Sequence, residues 1–430
     1  MRLTIAGHAQ RAGRTSGFDF LRIGLALCII LWHGISLSYG PKVEILWWRG
    51  PVGAAMHFVL PMFFALSGFL VAGSLDRCAT LVSFFGLRVL RILPALAVEV
   101  TLSALIYGPL LTSYTLDRYF ADPQFAQYFL NMAGDIHYVL PGLFADNPVS
   151  ATVNAQLWTI PFELQCYLAI GGLATAGVMK RRSMLLCIVI VGQAIWAWRA
   201  LTLGDGGGSG GASGPVLVIS FLSGVLFHVY RDRIPLRPSL FLIALVGGFG
   251  LSSLPHGAYY LPIPATYLTV YLGFLNPRPI KLVASGDYSY GLYLYGYPLQ
   301  QAVASIGPVA HHWWVNIGLA LPAAFLIAVL SWHRVERPML ALRLQLPYLE
   351  AAMVGMVRRP SQAKLTLAWQ RKPLAMVALA GGVAGTLLLI NANEKLAAFA
   401  VLGSFTAAAQ MSRVGAEGRL TALAPRSVSS

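Results

Sequence analysis

The chain has 430 residues, of which 57% are hydrophobic and only 11% are charged. A soluble globular protein carries about 25% charged residues, so this chain has too few polar groups to cover a domain of its size. The composition excludes a secreted disulfide scaffold, a disordered chain and an ordinary cytosolic enzyme. It indicates a protein that crosses a membrane several times.

Charge and cysteine content narrow the range of partners. The formal net charge is +15, but no basic patch belongs to a known nucleic-acid-binding module, so we expect no nucleic-acid partner. Membrane proteins instead concentrate Lys and Arg in their cytoplasmic loops. The four cysteines form no CxxC motif, so the sequence predicts neither a disulfide framework nor a metal site.

Apolar runs of about 20 residues, the length needed to cross a bilayer, follow one another along most of the chain. The candidate spans in chain order are 18–38, 53–75, 92–112, 156–177, 184–203, 215–230, 239–255, 260–275, 285–305 and 313–333. An eleventh candidate lies at 374–392. The sequence therefore predicts an all-α, polytopic membrane bundle of ten core transmembrane helices plus one C-terminal span.

Basic residues concentrate in alternate loops between these spans. With the N-terminus inside, the cytoplasmic loops hold Arg77, Arg88 and Arg91, then Lys180, Arg181 and Arg182, then Arg231, Arg233 and Arg237, then Arg278 and Lys281. On the opposite side, loop 113–155 has four aspartates against Arg118 alone. This alternation predicts a multi-pass protein of the inner (plasma) membrane with a cytoplasmic N-terminus.

Composition also divides the chain into segments. Residues 1–17 are polar and basic and are expected in the cytoplasm, 18–338 form the membrane domain, and 339–372 form a basic cytoplasmic segment. The apolar extension 373–430 could be one span, a hairpin, or a span followed by an interfacial helix. The glycine-rich stretch 204–214 is typical of a flexible linker.

An ionisable side chain inside a bilayer is costly and indicates a function. Span one carries Asp19, Arg22 and His33. Arg22 and His33 are eleven residues apart, which places them within roughly 20° of one helical face and about 16 Å apart along the axis. A cation near one end of the span thus lies in line with a histidine deep in the membrane. The alternative is a snorkelling arginine and a histidine that bonds a backbone carbonyl.

Two further clusters of charge stand at the ends of spans. Arg88 and Arg91 share one helical face at the mouth of span three, and a pair of guanidinium groups suits a phosphate-bearing ligand. From the sequence alone, topogenic charge is the favoured interpretation of this pair. Glu163, at the start of span four, could orient a histidine or pair with an arginine.

Five tyrosines occur in 285–298, within the ninth candidate span. Interfacial tyrosines usually form an aromatic belt at the membrane surface. Five so close together exceed a belt, so a polar-lined groove is expected here.

These features occur in blocks that resemble the membrane acyltransferase 3 family in content and in order. The blocks are Arg22 with His33, then 63–70, 88–94, 156–167, 285–298 and 335–338. Together they cover residues 18–338, which would then be a membrane acyltransferase domain. One departure concerns the tyrosine block, where many members have a histidine before the proline and this chain has Gly296 and Tyr297.

The resemblance implies an integral membrane O-acyltransferase. It would move an acyl group, most simply acetyl, from cytosolic acyl-CoA to a hydroxyl of an extracytoplasmic or membrane-linked glycan of the exopolysaccharide, capsule or O-antigen type. Acetyl-CoA would be a co-substrate, with no bound cofactor or metal, and membrane lipids would surround the domain. A transporter or flippase for a sugar or lipid-linked intermediate, or a non-catalytic scaffold, remains as an alternative, although no internal repeat supports a transporter.

The same resemblance suggests roles for individual residues. His33 would be the general base or a transient acyl carrier, and Glu163, if it reaches His33, would orient the ring. Residues expected to bind the acyl-CoA substrate are Asp19, Arg22, Ser67, Arg88, Arg91, Tyr290 and Tyr293.

Overall fold

The computed structural model describes residues 4–346 and 348, except 14, 204–212 and 279. Within these residues the secondary structure consists of helices, with no β-strand. The prediction of an all-α membrane bundle is confirmed. The eleventh candidate span at 374–392, the rest of the extension 373–430 and nearly all of the glycine-rich stretch lie outside the described residues.

A helix coincides with each of the ten core candidate spans. These helices are α1 (Gly17–Tyr39), α2 (Val59–Arg77), α3 (Leu81–Leu102), α4 (Ile160–Thr175), α5 (Arg182–Leu203), α6 (Gly214–Val229), α7 (Pro238–Ser252), α8 (Pro262–Phe274), α9 (Ser289–Ala304) and α10 (Trp313–Ser331). Among the described residues, five helical stretches are long and apolar enough to cross a membrane: Gly17–Tyr39, Pro51–Arg77, Leu81–Leu111, Arg182–Thr202 and Trp313–Gln345. The full count of ten crossings stays a prediction.

Helix α3 begins eleven residues earlier than the sequence predicted for span three. Its first turn is capped by Thr80, whose hydroxyl accepts a hydrogen bond of 3.2 Å from the backbone N–H of Ser83. Arg88 and Arg91 therefore lie two to three turns inside the helix rather than at its mouth. Hydropathy missed this start because the two arginines interrupt the apolar run.

Helices α2 and α6 pack backbone against backbone. A Cβ atom on Gly68 would lie 1.9 Å from the carbonyl oxygen of Phe221, and one on Gly224 would lie 2.1 Å from that of Ala65. Small residues allow such close approach where packing, rather than the hydrophobic effect, holds helices together. The contact fixes α2, which supplies one long wall of the functional site.

We call the end of the bundle that holds Gly17 and Arg77 the proximal end, and the end that holds Tyr39 and Val59 the distal end. Two short helices, Pro41–Trp48 and Pro51–Met56, connect α1 to α2 at the distal end. The long segment between α3 and α4 covers the same end. There Gln301 of α9 donates hydrogen bonds of 2.8 and 2.6 Å to the carbonyls of Val149 and Thr152.

Candidate functional site

A cavity of about 380 Å³ lies between α1, α2, α3, α4 and α9. Along α2 its lining extends from Arg77 to Leu60, which at about 1.5 Å per residue is about 25 Å of helix. The cavity therefore runs from the proximal end through most of the depth of the bundle.

Every residue predicted for the site lines this cavity, except Asp19 and His33. The predicted residues in the lining are Arg22, Ser67, Arg88, Arg91, Glu163, Tyr290 and Tyr293. They come from separate blocks of sequence, on five different helices. The fold thus brings together residues that the sequence could only place along single helices.

Asp287 joins two of the predicted arginines, although the sequence analysis did not select it. One of its carboxylate oxygens lies 2.9 Å from the guanidinium of Arg22 and 2.6 Å from that of Arg91. The other accepts a hydrogen bond of 2.6 Å from the hydroxyl of Ser289. Buried Glu336 lies 3.6 Å from Arg91 on another side. The charge of Arg91 is therefore balanced by two carboxylates.

Arg77 and Arg88 line the proximal part of the cavity, and their surroundings differ from those of Arg91. Neither has a carboxylate oxygen within 4.0 Å among the residues that the structure describes. Arg88 donates a hydrogen bond of 2.9 Å to the hydroxyl of Ser74, and its guanidinium lies 5.8 Å from the ring centroid of Tyr167. These two arginines leave net positive charge at the proximal end of the cavity.

Further along the cavity, the lining changes from arginines to carboxyl and hydroxyl groups. The Tyr167 hydroxyl donates a short hydrogen bond to Glu163 one turn away on α4. The hydroxyl of Tyr293 bonds Thr159 at 2.6 Å and the carbonyl of Gln156. Such a polar group of side chains within an apolar bundle can bind a polar ligand and exchange a proton with it.

His33 lies outside the lining and further toward the distal end. Its ring packs edge-on against Tyr297 with 5.0 Å between centroids, and Tyr297 is one helical turn beyond Tyr293 on α9. In the described part of the chain no hydrogen bond joins His33 to Glu163, which accepts one from Tyr167 instead. The role of Glu163 in orienting the His33 ring was conditional on its reaching that ring, and this hydrogen bond is not formed here.

Asp19 lies beside the cavity rather than in its lining. Its carboxylate is 4.0 Å from the guanidinium of Arg22, one turn along α1. Arg22 is thus flanked by Asp19 and bound by Asp287. Asp19 is not among the residues that line the cavity, and its expected contact with the acyl-CoA substrate stays a prediction.

Sequence reasoning missed Arg77, Asp287 and Glu336. From the sequence alone, Arg77 is one of several basic residues of a cytoplasmic loop, and Glu336 is part of a family block. The signal for Asp287 was present, because an acidic residue within candidate span 285–305 is costly without a partner. The sequence does not say which of the many arginines is that partner.

Comparison with known proteins agrees with this geometry. The acyltransferase 3 family, described as an acyltransferase domain, matches residues 15–333. This chain belongs to the acyltransferase 3 family. The resemblance found in the sequence blocks is therefore confirmed, and the protein is a membrane acyltransferase. Family membership favours an enzyme over the transporter or scaffold that the sequence left open.

Two curated relatives of this acyltransferase match most of its length. An O-acetyl transferase of Shigella phage Sf6 is 22% identical over 348 residues, which cover 75% of this chain and 96% of the relative. Nodulation protein 10 of Rhizobium leguminosarum bv. viciae is 28% identical over 368 residues, which cover 78% of this chain and 96% of the relative. No solved structure matches the chain.

Proposed function

We propose that this acyltransferase moves an acetyl group from acetyl-CoA to a hydroxyl group of an extracytoplasmic or membrane-linked glycan. The observation that carries the proposal is the order of groups along one cavity. At its proximal end stand arginines that have no carboxylate partner among the described residues, and a carboxylate with hydroxyl groups follows deeper in the bundle. The phage relative is named an O-acetyl transferase, which supports acetyl as the acyl group.

In this proposal the proximal end binds the donor. Arg77 and Arg88 would hold the phosphates of coenzyme A, because a guanidinium group binds a phosphate through two parallel hydrogen bonds. The buried Nε atom of Arg88 has no protein hydrogen-bond partner among the described residues, so it is free to donate to such a ligand. The pantetheine arm would then extend along α2 past Ser67 and place the thioester near Glu163.

The chemistry of the transfer needs a proton acceptor on the hydroxyl. The hydroxyl oxygen attacks the thioester carbonyl carbon, a C–O bond forms, the C–S bond breaks, and the proton from the hydroxyl ends on the sulfur of free coenzyme A. We assign the removal of this proton to His33, because an imidazole suits proton transfer near neutral pH. Glu163, which accepts a hydrogen bond from Tyr167, would be a second acid–base group, inside the cavity and close to the thioester.

The proposal also assigns sides of the membrane. The proximal end would face the cytosol, where acetyl-CoA is available, and the distal end would face the acceptor. The cluster of basic residues near the proximal end, which includes Arg77, Arg182 and Arg231, supports this orientation through the positive-inside rule.

The direct test follows labelled acetyl from acetyl-CoA into the glycan fraction of membranes that contain the enzyme. We expect transfer by the wild type, and at least about a hundredfold less by His33→Ala and by Glu163→Gln, because general acid–base groups contribute that much to a rate. His312→Ala, which changes an exposed histidine outside the cavity, is the matched control and should transfer like the wild type.

Two results would contradict the proposal. Wild-type membranes that transfer no label, with the protein inserted at a normal level, would exclude the proposed donor or acceptor class. Equal transfer by the wild type and His33→Ala would remove His33 from the reaction and leave Glu163 as the proton acceptor to be tested.

A further inference from the structure

A group of aromatic and polar side chains lies at the distal end, where α1 meets the short helix Pro41–Trp48. Glu44 of that short helix accepts hydrogen bonds from the indole N–H of Trp32 at 2.8 Å and from the hydroxyl of Ser36 at 2.6 Å, both on α1. It also accepts one of 3.3 Å from the indole N–H of Trp48. We call Trp32, Ser36, Glu44, Trp48 and His57 the distal cluster.

The rings of the distal cluster lie against one another. The ring centroids of Trp32 and Trp48 are 4.3 Å apart, and those of Trp48 and His57 are 4.9 Å apart. Trp32 is buried, whereas Glu44, Trp48 and His57 are each half-buried. Part of each of these three residues therefore remains accessible at the same place.

The distal cluster lies next to the distal limit of the cavity. His57 is three residues before Leu60, the last lining residue of α2 in this direction. On α1, Trp32 directly precedes His33, whose ring contacts Tyr297 one turn beyond the lining residue Tyr293. A ligand on the cluster would therefore lie at the distal limit of the cavity, at the level of His33 along α1 and at the end opposite to Arg77.

Two ordinary structural roles fit the cluster poorly. Belt tryptophans direct their N–H groups to the membrane–water interface, but here both indole N–H groups are bound by one protein carboxylate. A structural ion pair is excluded within the described part of the chain, since Glu44 has no basic group within 4.0 Å there. A carboxylate offers about four lone-pair positions and the protein uses three, so one is left for an external donor.

We propose that the distal cluster is the binding site for the acceptor, and that it takes the acceptor as a sugar ring. A pyranose has an apolar C–H face, which can stack on the indole of Trp48, and hydroxyl groups at its edge, one of which can donate to the remaining lone pair of Glu44. For transfer, a neighbouring hydroxyl of the bound sugar would have to reach His33, which follows Trp32 on α1. This inference rests on the proposed function and identifies the distal end of the bundle as the place where the enzyme binds its acceptor.

The test separates the two substrates kinetically. The full-length enzyme in membranes is assayed for acetyl transfer, with the glycan fraction as acceptor, and KM is measured for the glycan and for acetyl-CoA. Glu44→Gln and Trp48→Ala should each raise the KM for the glycan about tenfold, the effect of losing one hydrogen bond to a charged group or one aromatic contact. Neither should change the KM for acetyl-CoA, which also shows that both variants are folded.

Trp198→Ala is the matched control, since Trp198 is a 62% exposed tryptophan near the C-terminal end of α5, outside the cluster and the cavity. It should behave like the wild type toward both substrates. An unchanged KM for the glycan in both cluster variants, or an equal rise in Trp198→Ala, would overturn the assignment while leaving the acetyltransferase intact. A wild-type enzyme that transfers no acetyl would overturn the proposed function, and this assignment with it.

Discussion

Arg88 and Arg91 are three residues apart on α3, yet their guanidinium groups have different partners. Arg91 is bound by Asp287 and Glu336, while Arg88 meets the hydroxyl of Ser74 and the ring of Tyr167. A cation already balanced by two carboxylates has less to gain from a phosphate than one without a carboxylate partner. The proposed donor site therefore depends on Arg88 more than on Arg91.

This difference gives a prediction at the scale of single residues. Arg88→Ala should raise the KM for acetyl-CoA about tenfold or more with a small effect on kcat, because a charge-assisted hydrogen bond to the donor is lost. Arg91→Ala should instead lower the thermal-unfolding midpoint, since it leaves Asp287 and Glu336 without their shared cation. Steady-state kinetics and thermal unfolding of both variants check this. A larger rise in KM for Arg91→Ala than for Arg88→Ala would contradict the assignment.

At the scale of elements, the cavity depends on where α2 is held. Its lining on one side belongs to α2, and the other side of this helix is in backbone contact with α6 at Gly68 and Gly224. No side chain fits between the two helices at these points. Glycine at both positions is therefore a condition for the shape of the site, even though neither residue lines it.

Gly68→Ala should accordingly destabilise the enzyme. The new Cβ would meet the carbonyl oxygen of Phe221 at 1.9 Å, so α2 and α6 must move apart, at a cost of about 1–3 kcal/mol for overpacking. Gly192→Ala on α5, where nothing lies within 4 Å of the new Cβ, is the control and should be neutral. Thermal unfolding in detergent measures both. Equal midpoints for the two variants would show that the helices separate without cost.

At the scale of the whole molecule, the two ends of the bundle have different chemistry. The proximal end presents arginines to the cavity, and the distal end presents the indole, carboxylate and imidazole groups of the distal cluster. The proposed function needs these ends on opposite sides of the membrane, so that a cytosolic donor and an extracytoplasmic acceptor meet inside the protein.

This arrangement predicts the orientation of the chain. A single cysteine introduced at Lys42, exposed at the distal end, should react with a membrane-impermeant thiol reagent in intact spheroplasts. One introduced at Asp232, exposed beside Arg182, should react only after the membrane is opened. A background in which the four native cysteines are replaced makes the labelling specific. The reverse labelling pattern would place the proximal end outside the cell and would exclude cytosolic acetyl-CoA as the donor.

The fold class and seven of the residues that line the cavity follow from the sequence alone. A low charged fraction and long apolar runs leave the backbone no solution in a bilayer other than helices, so the all-α bundle follows from composition. The family blocks identified Arg22, Ser67, Arg88, Arg91, Glu163, Tyr290 and Tyr293, all of which line one cavity. Ionisable and polar groups in apolar spans are informative because they are costly unless they serve a site.

Which of these groups meet depends on how the helices pack in three dimensions. Helical periodicity predicts that Arg22 and His33 lie on one face of α1. It does not predict which residues of the neighbouring helices they face. Asp287 reaches Arg22 across 265 positions of sequence and Arg91 across 196. Ion pairs and hydrogen bonds act over a few ångströms, so their partners are fixed by how helices pack and turn against one another, and that information is not contained in the pattern of any single helix.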